Sequence, residues 1–266
     1  MRLTKHHGLG NDFLVLLDLD DSHPVSPEMA VALCDRRTGL GADGLLRATP
    51  ATRGADVTME LFNADGSVAE MSGNGVRCLA QAVFQSGFAA PPVLRVATAA
   101  GLRTVTVVAE AGPWAQRMSV EMGAAKVVGP EPEWIGADVV AATRVDVGNP
   151  HVVLRWGGSQ LPSRDTLVAI GAEIDGAVPG GANVEIVMPG PAADELAMVV
   201  YERGVGPTEA CGTGACAVAA AAHDWGIAGE RTTVHMPGGP VEITLGDPVL
   251  LTGDTTSVAI IDTPWP

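Results

Sequence analysis

Short runs of apolar residues, many of them β-branched, recur along the chain and predict strands. Two typical runs lie at residues 57–62 and 198–201. Segments rich in alanine and valine, at 76–85 and 215–223, follow two glycine loops and predict helices, and Gly87 and Gly226 stand where these helices should end. This mixture predicts an α+β fold in which each half of the chain wraps a sheet around a central helix. Further strands are predicted at residues 94–96, 104–108, 145–147, 184–188, 233–235 and 258–261.

Several motifs occur twice, about 139 residues apart, which indicates an internal duplication. We therefore predict two pseudo-symmetric domains with a cleft between them: residues 1–116, joined by a final strand at about 257–266, and residues 117–256. The linker is predicted near residues 111–113. The repeated pairs are 10–15 with 148–153, 41–43 with 181–183, Phe62-Asn63 with Tyr201-Glu202, and Ser72-Gly73-Asn74-Gly75 with Cys211-Gly212-Thr213-Gly214.

Charge and composition narrow the class of partner. The chain has 266 residues, with 16 Lys or Arg against 31 Asp or Glu and a net charge of −15, whereas nucleic acids and anionic lipids select basic surfaces. We therefore expect a small-molecule partner. No apolar run reaches the ~20 residues of a membrane span, and the first residues lack the apolar core of a signal peptide. Together with only four cysteines, this favours a cytoplasmic protein with reduced thiols, and the cysteine and histidine spacing predicts no metal site.

The second glycine loop is the strongest candidate for chemistry. Cys211 precedes a Gly-x-Gly motif at the start of a predicted helix, among backbone N–H groups without helical partners and at the positive end of the helix dipole. That position is expected to lower the pKa of the thiol and to bind a carboxylate. A buried structural cysteine is the alternative, and it is the interpretation we prefer for Cys34, Cys78 and Cys216.

The repeat places Ser72 at the position that matches Cys211. Two such side chains on helix N-termini, one from each domain, are expected to face each other across a small anion. Such a pair can remove a proton from one face of a carbon and return it to the other. An amino acid fits this chemistry, because its carboxylate suits the N–H groups and its Cα carries the proton. No pyridoxal signature is evident, so no cofactor is expected, and the helix dipoles would stabilise the carbanion.

These motifs together are similar to those of the diaminopimelate epimerase family. The resemblance implies two pseudo-symmetric α+β domains and a homodimer. It also implies an isomerase of lysine and peptidoglycan biosynthesis that interconverts LL- and meso-diaminopimelate with a pair of thiols and no cofactor. The matching segments run in order through nearly the whole chain: Gly10-Asn11-Asp12-Phe13, residues 62–67, residues 71–77, Gly148-Asn149-Pro150-His151, Tyr201-Glu202-Arg203-Gly204 and residues 210–214.

The resemblance also implies a role for each matched residue. Ser72 and Cys211 occupy the two catalytic positions. Glu202 would meet the reacting ammonium group and, with His151, would tune the bases; taken singly, Glu202 with Arg203 also fits an ordinary surface ion pair. The substrate-binding residues would be Gly73, Asn74, Gly212 and Thr213 as the anion site at the reacting centre with Asn11 near it, and Asn63, Asn149, Asn183 and Arg203 at the distal amino and carboxyl groups.

The chain departs from the family pattern at position 72, where the family has cysteine and this sequence has serine. A hydroxyl is a much weaker acid than a thiol, so the activity is expected to be impaired. Cys78 lies six residues further along, on another face of the helix, and cannot replace the missing thiol. Three explanations are open. They are an introduced substitution that arrests the site, a natural serine in a single-thiol epimerase or dehydratase for another amino acid, and a non-catalytic amino-acid-binding protein.

Overall fold

The computed structural model of the protein describes residues 1–51, 54–136 and 138–264. Strands dominate, and the predicted α+β class is confirmed. In chain order the elements are β1 (Arg2–Gly8), β2 (Asn11–Leu17), α1 (Pro27–Cys34), β3 (Gly44–Pro50), β4 (Val57–Asn63), α2 (Gly73–Ser86), β5 (Val93–Thr98), β6 (Gly101–Glu110), β7 (Ala115–Gly123), β8 (Lys126–Pro130), β9 (Val139–Asp146), β10 (Pro150–Trp156), α3 (Arg164–Ala177), β11 (Asn183–Pro189), β12 (Glu195–Glu202), β13 (Gly206–Thr208), α4 (Gly212–Asp224), β14 (Arg231–Met236), β15 (Gly239–Thr244) and β16 (Val249–Asp262).

The chain divides into two compact units. The first contains Met1–Glu121 and the segment from Gly253 onward, and the second contains Met122–Thr252. These divisions differ by a few residues from the predicted boundaries at 116/117 and 256/257, because strands β7 and β16 each run through a boundary without a break. The predicted linker at 111–113 is instead the turn of the β6–β7 hairpin, in which the Ala111 N–H donates to the Ala115 carbonyl at 2.9 Å.

In the first unit the sheet surrounds helix α2. Its strands follow the order β1-β2-β3-β4-β5-β6-β7, and β16 pairs antiparallel with β1. Helix α2 packs against β1, β2, β3, β4 and β6, and every residue from Gly73 to Phe84 is buried. The helix ends at Gly87, whose φ of 78° lies in the left-handed region that glycine adopts without strain.

In the second unit α4 takes the corresponding central position. The strand order is β15-β14-β12-β11-β10-β9-β8, and α4 packs against each of these strands. Residues 214–222 of α4 are all buried and are mostly alanine, so strands approach the helix from several sides. Helix α3 packs outside, on β11, β12 and β13. The central helices place the glycine loops at 72–75 and 211–214 at their N-termini.

Candidate active site

The Cys211 loop begins helix α4 with the cysteine as its N-cap. Cys211 has extended backbone angles (φ −130°, ψ 113°), and its Sγ accepts a hydrogen bond from the Gly214 N–H at 3.4 Å. The hydroxyl of Thr213 lies 3.5 Å from the same sulfur, and the Cys211 N–H donates to the Met236 Sδ at 3.4 Å. The side chain is therefore fixed by the first turn of the helix that it caps.

Glu202 stands at the end of β12, beside this thiol. The short β12–β13 hairpin pairs Val200 with Thr208, and the Thr208 hydroxyl donates to the Glu202 carboxylate. Burial raises the pKa of Glu202, and the negative charge of Glu185 raises it further, whereas the hydrogen bond from Thr208 acts in the opposite direction. Glu202 is thus a carboxyl group held near a thiol in a weakly hydrated position, an environment suited to proton exchange.

Burial, together with the carboxylates of β11 and β12, makes the Cys211 thiol a weak acid in the ligand-free protein. Burial raises the pKa of Cys211 well above 9, and the charges of Glu202 and then Glu185 raise it further. The donors at Thr213 and Gly214 favour the thiolate but are outweighed. The sequence-based expectation that the helix N-terminus would lower this pKa is wrong, because it took account of the loop and not of the burial of the thiol or of the carboxylates on neighbouring strands.

His151 belongs to a second group of predicted site residues in this unit. Its Nδ1 lies 2.8 Å from the Oε1 of Glu185, and its Nε2 lies 2.9 Å from the side-chain oxygen of Asn149. The parallel pairing of β10 with β11 sets His151 opposite Asn183 and places Glu185 two residues further along the same face. His151 and Glu185 are both fully buried.

Asn183 and Arg203, both predicted for the distal part of the site, contact each other. The side-chain oxygen of Asn183 accepts from the Arg203 N–H at 3.0 Å, and its amide nitrogen donates to the Pro150 carbonyl at 3.4 Å. The guanidinium of Arg203 donates to the Gly180 carbonyl at 3.1 Å, whereas Glu202 bonds to Thr208. The alternative that Glu202 and Arg203 form a surface ion pair therefore does not describe these side chains.

In the first unit Ser72 caps α2 with the same geometry. Its angles are φ −138° and ψ 124°, and its Oγ accepts from the Gly75 N–H at 3.0 Å. The Asn74 amide donates to the Asn11 Oδ1 at 3.2 Å, so the side chain of Asn11 lies against this loop. The amide nitrogen of Asn63 donates instead to Ser67 at 3.0 Å, in the turn after β4.

The sequence did not lead us to predict two buried charged residues near these loops. Arg77 is fully buried in α2 and donates to the Gly73 carbonyl at 3.1 Å and to the Asn74 Oδ1 at 2.8 Å. Glu185 lies at the centre of β11 against His151. Arg77 is the single charged residue of α2, and Glu185 is the single charged residue of β11. A lone charged residue in an otherwise uncharged element was the signal in the sequence that could have identified them.

The remaining cysteines are buried as predicted. Burial raises the pKa of Cys34 to about 11 and that of Cys78 to about 12, and all four cysteines are free thiols. Cys78 and Cys216 are completely inaccessible to solvent. Cys78 therefore lies within the packed face of α2 and is no substitute for a thiol at position 72.

Structures with the same fold come from racemases, epimerases and related proteins. A hydroxyproline epimerase from Agrobacterium vitis matches with a TM-score of 0.72 at 18% identity, over 99% of this chain and 93% of the other. A PhzF-family phenazine biosynthesis protein from Bacillus anthracis matches with a TM-score of 0.71 at 14% identity, over 99% of this chain and 98% of the other. At these identities the likeness defines the fold: the two-unit α+β fold found in racemases and epimerases.

Sequence comparison narrows this class to one family. The family model described as diaminopimelate epimerase matches residues 3–128 and 143–258. The diaminopimelate epimerase of Mycolicibacterium vanbaalenii is 41% identical, with 93% of this chain and 91% of the relative covered, and that of Corynebacterium glutamicum is 38% identical, with 97% and 96% covered. The chain therefore belongs to the diaminopimelate epimerase family, and the prediction of an isomerase is confirmed. In the described part of the chain no helix is long and apolar enough to cross a membrane.

Proposed function

We propose that this protein acts on LL- and meso-diaminopimelate by moving the proton at one Cα, with Cys211 as a proton-transfer group. The observation that carries the proposal is the Cys211 thiol at the N-terminus of α4, with Glu202 beside it. Membership of the diaminopimelate epimerase family supports it. Position 72, here a serine, is the second catalytic position. We further propose a cytoplasmic homodimer that needs no cofactor, following the family resemblance.

Backbone N–H groups supply the binding site for the reacting carboxylate in this proposal. Gly73 and Asn74 begin α2, and Gly212 and Thr213 begin α4, so each loop offers N–H groups that no helical carbonyl accepts. The positive ends of the helix dipoles favour a carboxylate there. They also stabilise the negative charge that develops on that group when the Cα proton leaves.

Arg203, Asn183, Asn149 and Asn63 are proposed to bind the distal end of the substrate. Their donors and acceptors suit an ammonium group and a carboxylate, and the planar guanidinium of Arg203 suits a carboxylate in particular. Asn183 fixes the backbone of Arg203, which supports their action as one unit. Specificity for an amino acid with two amino-acid ends would depend on this group.

The protonated form of Cys211 suggests the direction in which it acts most readily. A thiol with a raised pKa is ready to donate a proton to a carbanion on its own face. To act as the base, Cys211 must lose its proton beside Glu202, and the positive ammonium group of the bound substrate would offset that accumulation of negative charge. The proton taken from Cα then resides on sulfur, and the other face receives its proton from the position-72 side or from water.

Ser72 favours a second candidate function, the binding of an amino acid without efficient turnover. The hydroxyl can donate a hydrogen bond but forms an alkoxide only with difficulty near neutral pH. The binding residues do not depend on this hydroxyl, so binding is expected to persist when turnover is slow. A dehydratase acting on another amino acid is a third possibility, distinguished by a keto-acid product.

The proposal is tested by titrating the protein with LL-diaminopimelate, meso-diaminopimelate and lysine and following each mixture by chiral chromatography. We expect both diaminopimelate isomers to bind more tightly than lysine, with slow interconversion and no keto acid. Lysine binding as tight as diaminopimelate would contradict the distal site. A keto acid formed from a hydroxylated amino acid such as serine, which has the hydroxyl group that a dehydratase eliminates, would identify a dehydratase. Binding without any interconversion, and without deuterium incorporation at Cα when the mixture is made in deuterated water, would favour the binding protein.

A further inference from the structure

Glu185 is a buried carboxylate that none of the roles above requires. It lies in β11, is completely inaccessible to solvent, and places its Oε1 2.8 Å from the His151 Nδ1. Its other oxygen, Oε2, is also buried and has no hydrogen-bond partner in the described part of the chain. Burial of a carboxylate with one oxygen unpaired is costly, so a structural role alone is a poor explanation for a charged side chain here.

The first turn of α4 is shaped to admit this carboxylate. A Cβ added at Gly214 would stand 2.6 Å from the Glu185 Oε1, closer than real Cβ contacts allow, and 3.2 Å from its Cδ, which is a tight contact. Gly214 is also the residue whose N–H donates to the Cys211 Sγ. Glycine at position 214 therefore lets a β11 carboxylate lie against the same turn that holds the thiol.

We infer that Glu185 is a positioning residue of the Cys211 site, which fixes the His151 ring through Nδ1 and places a second negative charge beside the thiol. The contacts of Glu185 with His151 and with the first turn of α4 belong to the ligand-free protein. The inference therefore rests on the proposed function only where it concerns the effect of Glu185 on turnover. The arrangement makes the protein hold Cys211 as a thiol until a cationic group of the substrate arrives.

The ionisable groups around Cys211 support this role. Glu185 faces it from β11 and Glu202 from β12, and β10 contributes His151, whose charge acts on Glu202. From β14 the contact is the uncharged sulfur of Met236. Both carboxylates oppose a thiolate, and the Glu185 charge also raises the pKa of Glu202.

The test compares Glu185→Gln with the unmodified protein by the rate at which iodoacetamide alkylates Cys211 between pH 7 and 10.5, read from the mass of the Cys211 peptide. Glutamine keeps an oxygen that accepts from His151 Nδ1 and removes the charge. We expect the pH profile to move down by about one unit, the lower end of the effect of a nearby charge. At a fixed pH below the pKa of the thiol, the fraction of thiolate should then rise about tenfold. The alkylation rate should rise only about threefold, because a thiolate of lower pKa is less nucleophilic. Glu173→Gln, the same charge change on the exposed face of α3, should leave the profile in place.

An unchanged profile for Glu185→Gln would overturn the inference. A second measurement needs no variant: nitrogen NMR of the unmodified protein should show a proton on the His151 Nδ1, and an Nδ1 without a proton would also overturn it. Neither readout uses substrate, so failure of the protein to epimerise diaminopimelate would contradict the proposed function and leave this inference standing.

Discussion

The glycine loops at 72–75 and 211–214 have the same backbone and opposite electrostatic surroundings. Ser72 and Cys211 both cap a central helix from an extended conformation, and each accepts from the N–H three residues later, at 3.0 Å and 3.4 Å. Beneath the first loop lies the buried cation Arg77, whereas Glu185 and Glu202 lie around the second. The two loops share the same helix-capping backbone, and the side chains from neighbouring elements make them chemically different.

This difference has a direct chemical consequence. The buried guanidinium of Arg77 donates to the Gly73 carbonyl and to Asn74, so it orients the first loop and adds positive charge beneath it. The carboxylates around the second loop favour the protonated thiol. The first loop therefore has a buried cation beneath it, whereas the carboxylates around the second loop keep its thiol protonated.

Replacing Ser72 with cysteine should produce the largest effect, because it gives the first loop the same proton-transfer group as the second. We expect the rate of diaminopimelate epimerisation to rise about 10²- to 10⁴-fold, the usual contribution of a positioned acid–base group. The measurement is the conversion of LL to meso isomer by the two proteins. Cys211→Ser in the Ser72→Cys background is the matched control and should lose the gain. Equal rates for serine and cysteine at position 72 would show that this position is not a base.

Replacing Arg203 with alanine should weaken substrate binding while leaving the loops unchanged. A hydrogen bond from a charged group contributes ~1.5–3 kcal/mol, so the Kd for diaminopimelate should rise about ten- to a hundredfold. Calorimetric titration measures this, with Arg164→Ala on the exposed face of α3 as the control. Unchanged affinity in Arg203→Ala would place the distal carboxylate elsewhere.

Alanine at the fourth residue of each loop, Gly75 or Gly214, should affect the stability of the protein to different extents. At Gly214 a Cβ would meet the Glu185 carboxylate at 2.6 Å, whereas at Gly75 it would meet the Ser72 Cβ at 3.1 Å and Oγ at 3.3 Å. We expect Gly214→Ala to lower the free energy of unfolding by ~1–3 kcal/mol and Gly75→Ala to lower it by less. Urea denaturation of both variants checks this. A larger loss for Gly75→Ala would mean that Glu185 is not confined by α4.

The smallest expected effect is a pH dependence that arises in the first unit. His6 is fully buried with its Nδ1 2.8 Å from the Gln81 Oε1, and burial lowers its pKa below the usual value of about 6.5. As pH falls below about 6.5, the unfolded chain takes up a proton that the folded protein resists. The free energy of unfolding should therefore fall by at most ~1.4 kcal/mol per pH unit.

The slope of the free energy of unfolding between pH 7.5 and 5.5 measures this contribution. His6→Phe should flatten the slope, whatever its absolute stability, and His223→Gln at an exposed position should retain it. A slope that is the same in His6→Phe and in the unmodified protein would contradict the assignment.

Local sequence patterns were enough to predict the central helices and both loops. The alanine- and valine-rich segments after each Gly-x-Gly predicted α2 and α4, and the internal repeat showed that Ser72 and Cys211 are equivalent caps. Helix α3 was missed, although Ser163 caps it and Leu167 and Ile174 form its buried face, because its polar face interrupts the apolar pattern.

The electrostatics of the second loop could not be predicted in the same way. The pKa of Cys211 depends on Glu185 and Glu202, which reach it only because β11 and β12 pack against α4. The local pattern reveals the helix dipole but not which strands lie beside the helix. The His151–Glu185 contact likewise depends on the parallel register of β10 and β11, which the sequence does not specify.

The most direct test of the account is deuterium incorporation at Cα in deuterated water, catalysed by the protein with Ser72 unchanged and followed separately for LL- and meso-diaminopimelate. With Cys211 as the competent proton-transfer group, one stereoisomer should exchange much faster than the other, and Cys211→Ala should abolish this exchange while binding persists. Equal exchange from both stereoisomers, or exchange that survives Cys211→Ala, would contradict the assignment of Cys211 as the group that moves the proton.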